Sequence, residues 1–398
     1  MSSNLLKKLI LPTADEWFSR SRHIIGIMSG TSVDGVDLTL AKFIGSKSKN
    51  FLFSIISNKT YSLPREIKEQ IQKPIPNESR TRDIAFLNFE LAFYYTKLVK
   101  DFLRSINFTQ EKIDAIGVHG QTLWHEPHPE SQYHYGTTFQ CVSLSAMAQT
   151  LGIPIVGDFR SKDVALGGEG APLVPIFDYE FLGSKTENII ALNIGGIANI
   201  TYIPKNEKLS EVVAFDTGPG NVWIDGAMRV LFQQDYDVNG EVARSGRLIN
   251  QIFKKLKSIR YIQKKPPKST GRELFNHEKL QEILVTIDNK KIQPNDIVTT
   301  LTHFTAWSIA ENIKKFANVN SKLIVSGGGA KNLFLLELIQ YYLPSITLHT
   351  SDIYGIPVEA KESLAFAFLA YLRMGGLPSN IPSVTGSRER ISLGIVAV

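Results

Sequence analysis

The sequence predicts an α/β protein built as two related lobes with a central cleft between them. Strand-like and helix-like segments alternate along the chain, the pattern of a sheet covered by helices. One supersecondary unit, an Ile-Ile strand, a glycine-containing tip and a returning strand, occurs twice, in residues 23–43 and again in 188–203. The length of 398 residues exceeds one ordinary core and suits two domains. A final apolar helix can carry the chain back to where it began. The first lobe is therefore expected to hold residues 1–180 plus 361–398, and the second 181–360.

Each element has its own signal. Residues 1–22 read as a short helical lead-in. His23 to Met28 is an apolar strand, residues 29–35 are a glycine-rich turn, and Val36 to Phe43 alternates as the returning strand. Phe51 to Thr60 continues the sheet. Leu87, Leu91, Tyr94, Tyr95, Leu98 and Phe102 recur at helical spacing and predict a helix over 82–105. Ile113 to His119 and Ile153 to Asp158 are buried strands with polar residues at their carboxyl ends. Ala146–Leu151 and Pro172–Leu182 read as helical. Asn188–Ile194 and Ile197–Ile203 form the second hairpin. Lys322–Ser326 is a strand, followed by a helix near 332–343. Glu359–Met374 is a long apolar helix, and the tail is rich in turns.

Composition narrows the function classes. Hydrophobic residues are 43% and charged residues 21%, which is globular rather than disordered. The net charge of +6 is spread along the chain, without the dense basic stripe of a nucleic-acid binder. Cys141 is the one cysteine, so no disulfide framework and no thiolate metal site can form. No run approaches the roughly 20 apolar residues of a membrane span. A cytoplasmic protein with no membrane partner is expected.

Several segments carry chemistry. In the first turn, Gly30 and Gly35 let backbone N–H groups approach phosphate oxygens, and Thr31 and Ser32 add hydroxyl donors. Val33, Val36 and Asp37 complete that candidate nucleotide loop, and Asp34 suits Mg²⁺. The alternative is a plain β-turn at Asp34-Gly35. This is not a Walker A loop, because the Gly-x-x-x-x-Gly-Lys-Ser/Thr pattern is absent from it. Gly195, Gly196 and Asn199 at the second tip could clamp a polyphosphate together with the first. Asp216, Gly218, Gly220 and Asn221 follow: the glycines permit close ligand approach, Asp216 suits Mg²⁺ through water, and Asn221 suits a sugar or phosphate. Helix capping is their competing role. Gly327, Gly328, Gly329 and Asn332, between a strand and a helix, offer bare backbone to a planar base and a helix N-terminus to negative charge.

Two strand ends carry polar residues suited to catalysis and ligand binding. Asp158 precedes Arg160 and Lys162, either of which would hold it ionised as a general base; a structural Asp158–Arg160 pair is the alternative. Gly170 lies in the loop just beyond. His119, Gln121 and Thr122 suit hydrogen bonding to sugar hydroxyls. His125, His128 and His134 lack the companion residues of a zinc site.

Taken in order, these segments resemble the sugar kinase, Hsp70 and actin superfamily, and within it the anhydro-N-acetylmuramic acid kinase family. The similarity rests on Gly26–Ser32, His119–Thr122, Asp158–Arg160, Gly170–Pro175, Asn193–Gly196, Phe215–Asn221, Pro267–Glu273, Ser326–Gly329 and Pro382–Gly386. It runs from about residue 23 to the end, and the lead-in looks longer than the family needs. The resemblance implies a two-lobed actin-like ATPase fold, ribonuclease H-like in each lobe. It implies ATP and Mg²⁺, a homodimer, and a reaction that opens an anhydro-sugar with water and phosphorylates the freed oxygen. Asp158 stands at the position of the family's proposed base. An ordinary hexose or hexosamine kinase is the nearest alternative. A filament or chaperone ATPase would need an assembly surface or a peptide-binding domain, and no spare domain of that kind is expected.

Overall fold

The structure is a computed structural model that describes residues 11–30, 33, 35–72, 79–129, 132–206, 208–270, 274–285, 292–316 and 321–398. The chain divides into two compact units, residues 1–181 with 360–398, and residues 182–359.

The first unit carries a six-stranded sheet. Its strands are β1 (Arg22–Met28), β2 (Gly35–Ser46), β3 (Lys49–Ser62), β4 (Ala115–Val118), β7 (Ile155–Gly157) and β13 (Ile395–Ala397). A separate two-stranded ribbon joins β5 (Gln121–Glu126) to β6 (Thr137–Cys141). The sheet order is β13-β7-β4-β1-β2-β3. β1, β2 and β3 form an antiparallel meander, while β1, β4 and β7 run parallel.

The second unit carries β8 (Asn188–Ile194), β9 (Ile197–Ile203), β10 (Val213–Pro219), β11 (Ser321–Ser326) and β12 (Thr347–Thr350), in the order β10-β9-β8-β11-β12. Here too the first three strands are an antiparallel meander and the last two join in parallel. Counted within each sheet, both read third, second, first, fourth, fifth strand, and the first adds β13 at its edge. The α/β fold expected from the duplicated hairpins is present in each unit.

Alternation along β1 decides what covers each face of the first sheet. Ile25 and Ile27 join a core with Leu87, Leu91, Tyr95, Leu98 and Phe102 of the helix Thr81–Ser105. The other face receives the helix Lys361–Met374, buried at every position except Glu362 and Arg373. Gly26 and Gly117 are register partners on β1 and β4. A Cβ on Gly26 would lie 1.7 Å from the Ser363 carbonyl, and one on Gly117 would lie 2.2 Å from that of Phe366. The two glycines thus form a flat seat on which helix backbone rests directly. At the helix end, Phe43, Phe51, Phe368 and Tyr371 pack ring against ring.

The described part of the lead-in docks on this same helix. The short helix Ala14–Phe18 is opened by a Thr13–Glu16 capping box, and its Trp17 is buried with Nε1 donating to the Tyr371 carbonyl at 3.0 Å. Arg20 and Arg22 both pair with Asp114. A buried ion pair, Lys361 to Asp178 at 2.8 Å, ties the helix Pro175–Leu182, which leaves the unit, to the helix that returns.

In the second unit the helix Pro294–Ile313 is unusual in carrying a buried polar row: Thr299, Thr302, Thr305, Ser308 and Asn312. Each finds a carbonyl, either in its own helix or in the loops beside it. Two of them, Thr305 and Asn312, reach the glycine-rich end of β10.

Candidate active site

Because β1, β4 and β7 are parallel neighbours, their carboxyl ends share one edge of the sheet, where open α/β sheets bind ligands. That edge presents Ser29 and Gly30 after β1, His119 to Gln121 after β4, and Asp158 after β7. Buried Ser29 donates its hydroxyl to Gln121 Oε1 at 2.8 Å, and Gln121 Nε2 reaches the Gly30 carbonyl at 3.4 Å. The His119 N–H donates to the Ile27 carbonyl at 3.0 Å. Of the first turn, Thr31, Ser32 and Asp34 lie outside the described residues. Val33 and Val36 point their side chains into the core, so only their backbone can serve a nucleotide. Gly35 lies against the Tyr61 carbonyl of β3, and Asp37 Oδ1 accepts from Thr60 at 2.5 Å.

Arg160 ties together two other candidate sugar residues, His119 and Gly170. Its Nη2 and Nε lie 2.8 and 3.3 Å from His119 Nε2, and Nη1 donates to the Gly170 carbonyl at 2.7 Å. A guanidinium can only donate, so His119 Nε2 accepts and the ring is neutral with its proton on Nδ1. Burial and then the Arg160 charge pull the His119 pKa down to about 3. Desolvation lowers Arg160 to about 10, opposed by Glu362 and Asp163, which leaves it charged at neutral pH. Thr122 stands one residue further along β5, half-buried, and accepts from Gln140 at 3.4 Å.

Asp158 sits at φ 49°, a left-handed conformation that Asp tolerates better than most side chains. Its Oδ1 accepts the Ser161 N–H at 3.2 Å. The sequence left open whether Arg160 pairs with it. The structure turns Arg160 to His119 and Gly170 instead, and Lys162 donates to the Ser392 carbonyl at 3.2 Å while remaining close enough for Asp158 to favour its charge. Half-buried and held through one oxygen, Asp158 can receive a proton from a neighbouring water.

Three glycine segments meet in the second unit, each at the end of a strand. The N–H groups of Gly220 and Asn221 donate to the Gly196 and Gly195 carbonyls at 2.8 and 2.9 Å. A Cβ on Gly220 would lie 2.3 Å from the Gly195 carbonyl, one on Gly327 2.6 Å from Asn193 Oδ1, and one on Gly329 2.3 Å from Ile194. Those glycines are required by close packing. Gly195, Gly196 and Gly328 differ, since an added Cβ there meets nothing nearer than 3.6 Å. A ligand can approach Cα there with no side chain in the way, as a phosphate cradle requires, although the Gly195 N–H donates to the Ile197 carbonyl at 3.2 Å. Gly218, at φ 145°, follows Asp216 where β10 shifts register, and Asn199 faces Asn193 across the hairpin.

Two expected contacts have structural duties. Asn332 is buried and caps the helix Leu333–Tyr342, accepting the Leu335 N–H at 2.9 Å. Asp216 Oδ2 accepts from Ser269 Oγ at 3.1 Å and the Thr270 N–H at 2.9 Å. This explains the Pro267–Glu273 segment, of which residues 271–273 lie outside the described residues. Lys268 anchors the segment by donating to the Tyr261 and Ile262 carbonyls beneath the Phe215 and Tyr261 rings. Sequence reasoning missed Thr305, which donates to the Gly220 carbonyl at 2.9 Å, and Asn312, which donates to that of Thr217 at 3.1 Å. Their only signal was polar residues on a helix face that should be apolar.

The histidines of the β5–β6 ribbon do not converge: His128 pairs with Glu169 at 2.6 Å and His125 with Thr138 at 2.9 Å. Among the described residues, no group of three or more His, Cys, Asp or Glu side chains could hold a metal ion.

The model of one family, anhydro-N-acetylmuramic acid kinase, matches residues 22–398. The chain belongs to that family. It is therefore an enzyme of the kinase class. A family kinase from Clostridioides difficile (strain 630) is 39% identical over 377 residues, covering 94% of this chain and 97% of that protein. Another from Francisella tularensis subsp. novicida (strain U112) is 40% identical over 380 residues, covering 94% and 98%. Among solved structures, an activator of 2-hydroxyisocaproyl-CoA dehydratase from Clostridium difficile with bound ADPNP is 12% identical, with a TM-score of 0.44 over 88% of this chain and 95% of that one. Most of the anhydro-N-acetylmuramic acid kinase segments quoted from the sequence thus fall at strand ends in the two units; of the rest, Gly170 and the tail residue Thr385 bond to Asp163, and Ser269 and Thr270 bond to Asp216.

Proposed function

We propose that this protein uses water to open the internal ring of 1,6-anhydro-N-acetylmuramic acid and transfers the γ-phosphoryl group of ATP to the freed O6. The products are N-acetylmuramate 6-phosphate and ADP, and the reaction serves recycling of peptidoglycan sugars. The observation that carries this reading is the meeting of Ser29 and Gly30, His119 to Gln121, and Asp158 at the ends of three adjacent parallel strands, in a member of this family.

In this reading Asp158 accepts a proton from the water that attacks C1, through an oxocarbenium-like transition state. O6 leaves C1 and bonds to the γ-phosphorus, so no second carboxylate is needed to protonate it. His119, Gln121, Thr122, Arg160 and Gly170 orient the sugar. The tip of each unit's first hairpin, with Gly30 on one and Gly195 and Gly196 on the other, presents backbone donors to phosphates, and Gly327 to Gly329 border the adenosine. Mg²⁺, when bound, would neutralise phosphate charge; Asp34 at the first hairpin tip is the candidate to hold it, since Asp216 already accepts from Ser269 and Thr270.

The test is mass spectrometry of the product made from Mg-ATP and 1,6-anhydro-N-acetylmuramic acid in ¹⁸O-water. A sugar phosphate carrying one labelled oxygen supports the reading. Unchanged anhydro-sugar beside ready phosphorylation of a free hexosamine overturns it in favour of an ordinary hexosamine kinase.

The protein is further read as a cytoplasmic homodimer. Among the described residues no helix is long and apolar enough to cross a membrane. Phe86, Phe89 and Phe93 stand half-exposed or more on one face of the helix Thr81–Ser105, an apolar stripe suited to a second copy. Sedimentation velocity of the purified protein tests the dimer, with a monomer at micromolar concentration counting against it.

A further inference from the structure

Asp163 is a carboxylate with no exposed surface, placed five residues after Asp158. A buried charge needs compensating bonds. Here they come from neutral donors: the Gly170 N–H to Oδ2 at 2.9 Å, and Thr385 Oγ1 and Asn380 Nδ2 to Oδ1 at 2.8 and 3.0 Å. The surroundings are shaped to this arrangement. A Cβ on Gly168 would lie 2.2 Å from Asp163 Oδ2, and Gly170 holds φ 65°.

The donors come from two segments far apart in sequence. One is the loop 167–170. The other is the tail, which crosses back over it: the Glu169 N–H donates to the Thr385 carbonyl, the Arg388 N–H to that of Leu166, and the Ile391 N–H to Asn380 Oδ1. On its far side Gly170 gives its carbonyl to Arg160 Nη1, and Arg160 reaches His119. A continuous chain of hydrogen bonds therefore runs from the tail through Asp163 and Gly170 to the guanidinium and imidazole at the strand ends.

We propose that Asp163 is a positioning residue for the sugar: by gripping the Gly170 N–H it sets where the Gly170 carbonyl holds Arg160, and it transmits the seating of the tail to that site. This rests on the reading of Arg160, His119 and Gly170 as sugar contacts. The carboxylate is chemically necessary. Both oxygens face donors, and an Asn at this position would turn an NH₂ against one of them. If its amide oxygen keeps Thr385 and Asn380, its NH₂ faces the Gly170 N–H. The isosteric change then releases Gly170 while leaving the tail attached.

The experiment is steady-state kinetics of wild type and Asp163→Asn with Mg-ATP and 1,6-anhydro-N-acetylmuramic acid, alongside thermal melting. The expected result is a KM for the sugar raised about 10- to 100-fold, as misplacement of a binding group by about 1 Å would give, with the KM for ATP unchanged. Wild-type affinity for both substrates in the folded variant overturns the proposal, and so does an equal rise in both KM values. A wild type inactive on this sugar overturns the underlying functional reading instead, which keeps the two failures apart. Should Asp163→Asn not fold, Thr385→Val removes one donor of three. It must show the same sugar-selective rise on a smaller scale, and kinetics matching wild type overturn the proposal.

Discussion

Ser29 and Gln121, at the ends of two parallel neighbours, are joined by a 2.8 Å hydrogen bond from the Ser29 hydroxyl to Oε1 of Gln121, and both side chains are buried. The first hairpin tip is thereby fixed to the strand end that carries the candidate sugar residues. Replacing Ser29 by Ala leaves a buried carbonyl oxygen without its donor, at a cost of about 1–3 kcal/mol. Expected outcomes are a lower melting temperature and raised KM values for both ATP and sugar. Calorimetry and initial-rate measurements check them, and a change in neither would remove this bond from any account of the site.

Asp158→Asn should abolish most turnover, by about 10²- to 10⁴-fold in kcat, the span of a general base. Folding should be spared, because Asn also tolerates the left-handed backbone at φ 49°. Single-turnover assays and melting curves read the two effects separately. Near-normal kcat in the folded variant would exclude Asp158 as the base.

His119 gives the protein an acid limit. Its pKa falls from 6.5 in the unfolded chain to about 3 in the folded one. The unfolded state therefore binds the extra proton below pH 6.5, so the contribution is complete above that pH and is lost progressively as pH falls toward 3. At pH 5 the loss from this group is about 2 kcal/mol relative to pH 7. His119→Gln, which can still accept from Arg160, should lose less stability than wild type over that interval. Denaturant titrations at pH 7 and 5 check this; parallel losses in the two proteins would contradict it.

The glycine seat under the helix Lys361–Met374 has no spare room. Gly26→Ala requires the helix backbone to lift off β1, because the Ser363 carbonyl occupies the site of the new methyl. A destabilisation of about 3 kcal/mol or more is expected, in the range of severe overpacking. Gly167→Ala, where nothing lies within 4 Å, serves as the contrast for space alone, although φ 79° leaves it some backbone strain. Comparable melting temperatures for the two variants would refute the seat.

Much of this was legible in the sequence because hydrophobic period and glycine placement are local signals. β1, β2, β3, β8, β9 and β11 lie where apolar runs and glycine-rich turns put them, and the helices Thr81–Ser105 and Lys361–Met374 lie where apolar helical segments were expected. The β5–β6 ribbon was not foreseen, since its polar and aromatic residues show no clear apolar period. Nor was β13, only three residues long, because an edge strand that short has no period of its own. At the site, residue types identified Asp158, Arg160 and His119, but not which of them bond. The sequence left an Asp158–Arg160 pair open; folding aims the guanidinium at His119 and Gly170. Asp163, Thr305 and Asn312 escaped notice because their partners are backbone groups or residues far along the chain, and no spacing rule connects them.

The pairing of β13 with β7 has a consequence for how the protein is made. The second unit is continuous from residue 182 to 359 and can assemble while the ribosome is still adding the remaining residues. The first unit cannot. The helix that fills its glycine seat, two of the three donors to Asp163 and its last strand all come from residues 361–397. Throughout most of translation β1 and β4 must therefore carry an uncovered apolar face, and β7 an open edge. A chain translated only through the second unit therefore lacks the strand that closes β7, the one leading into Asp158.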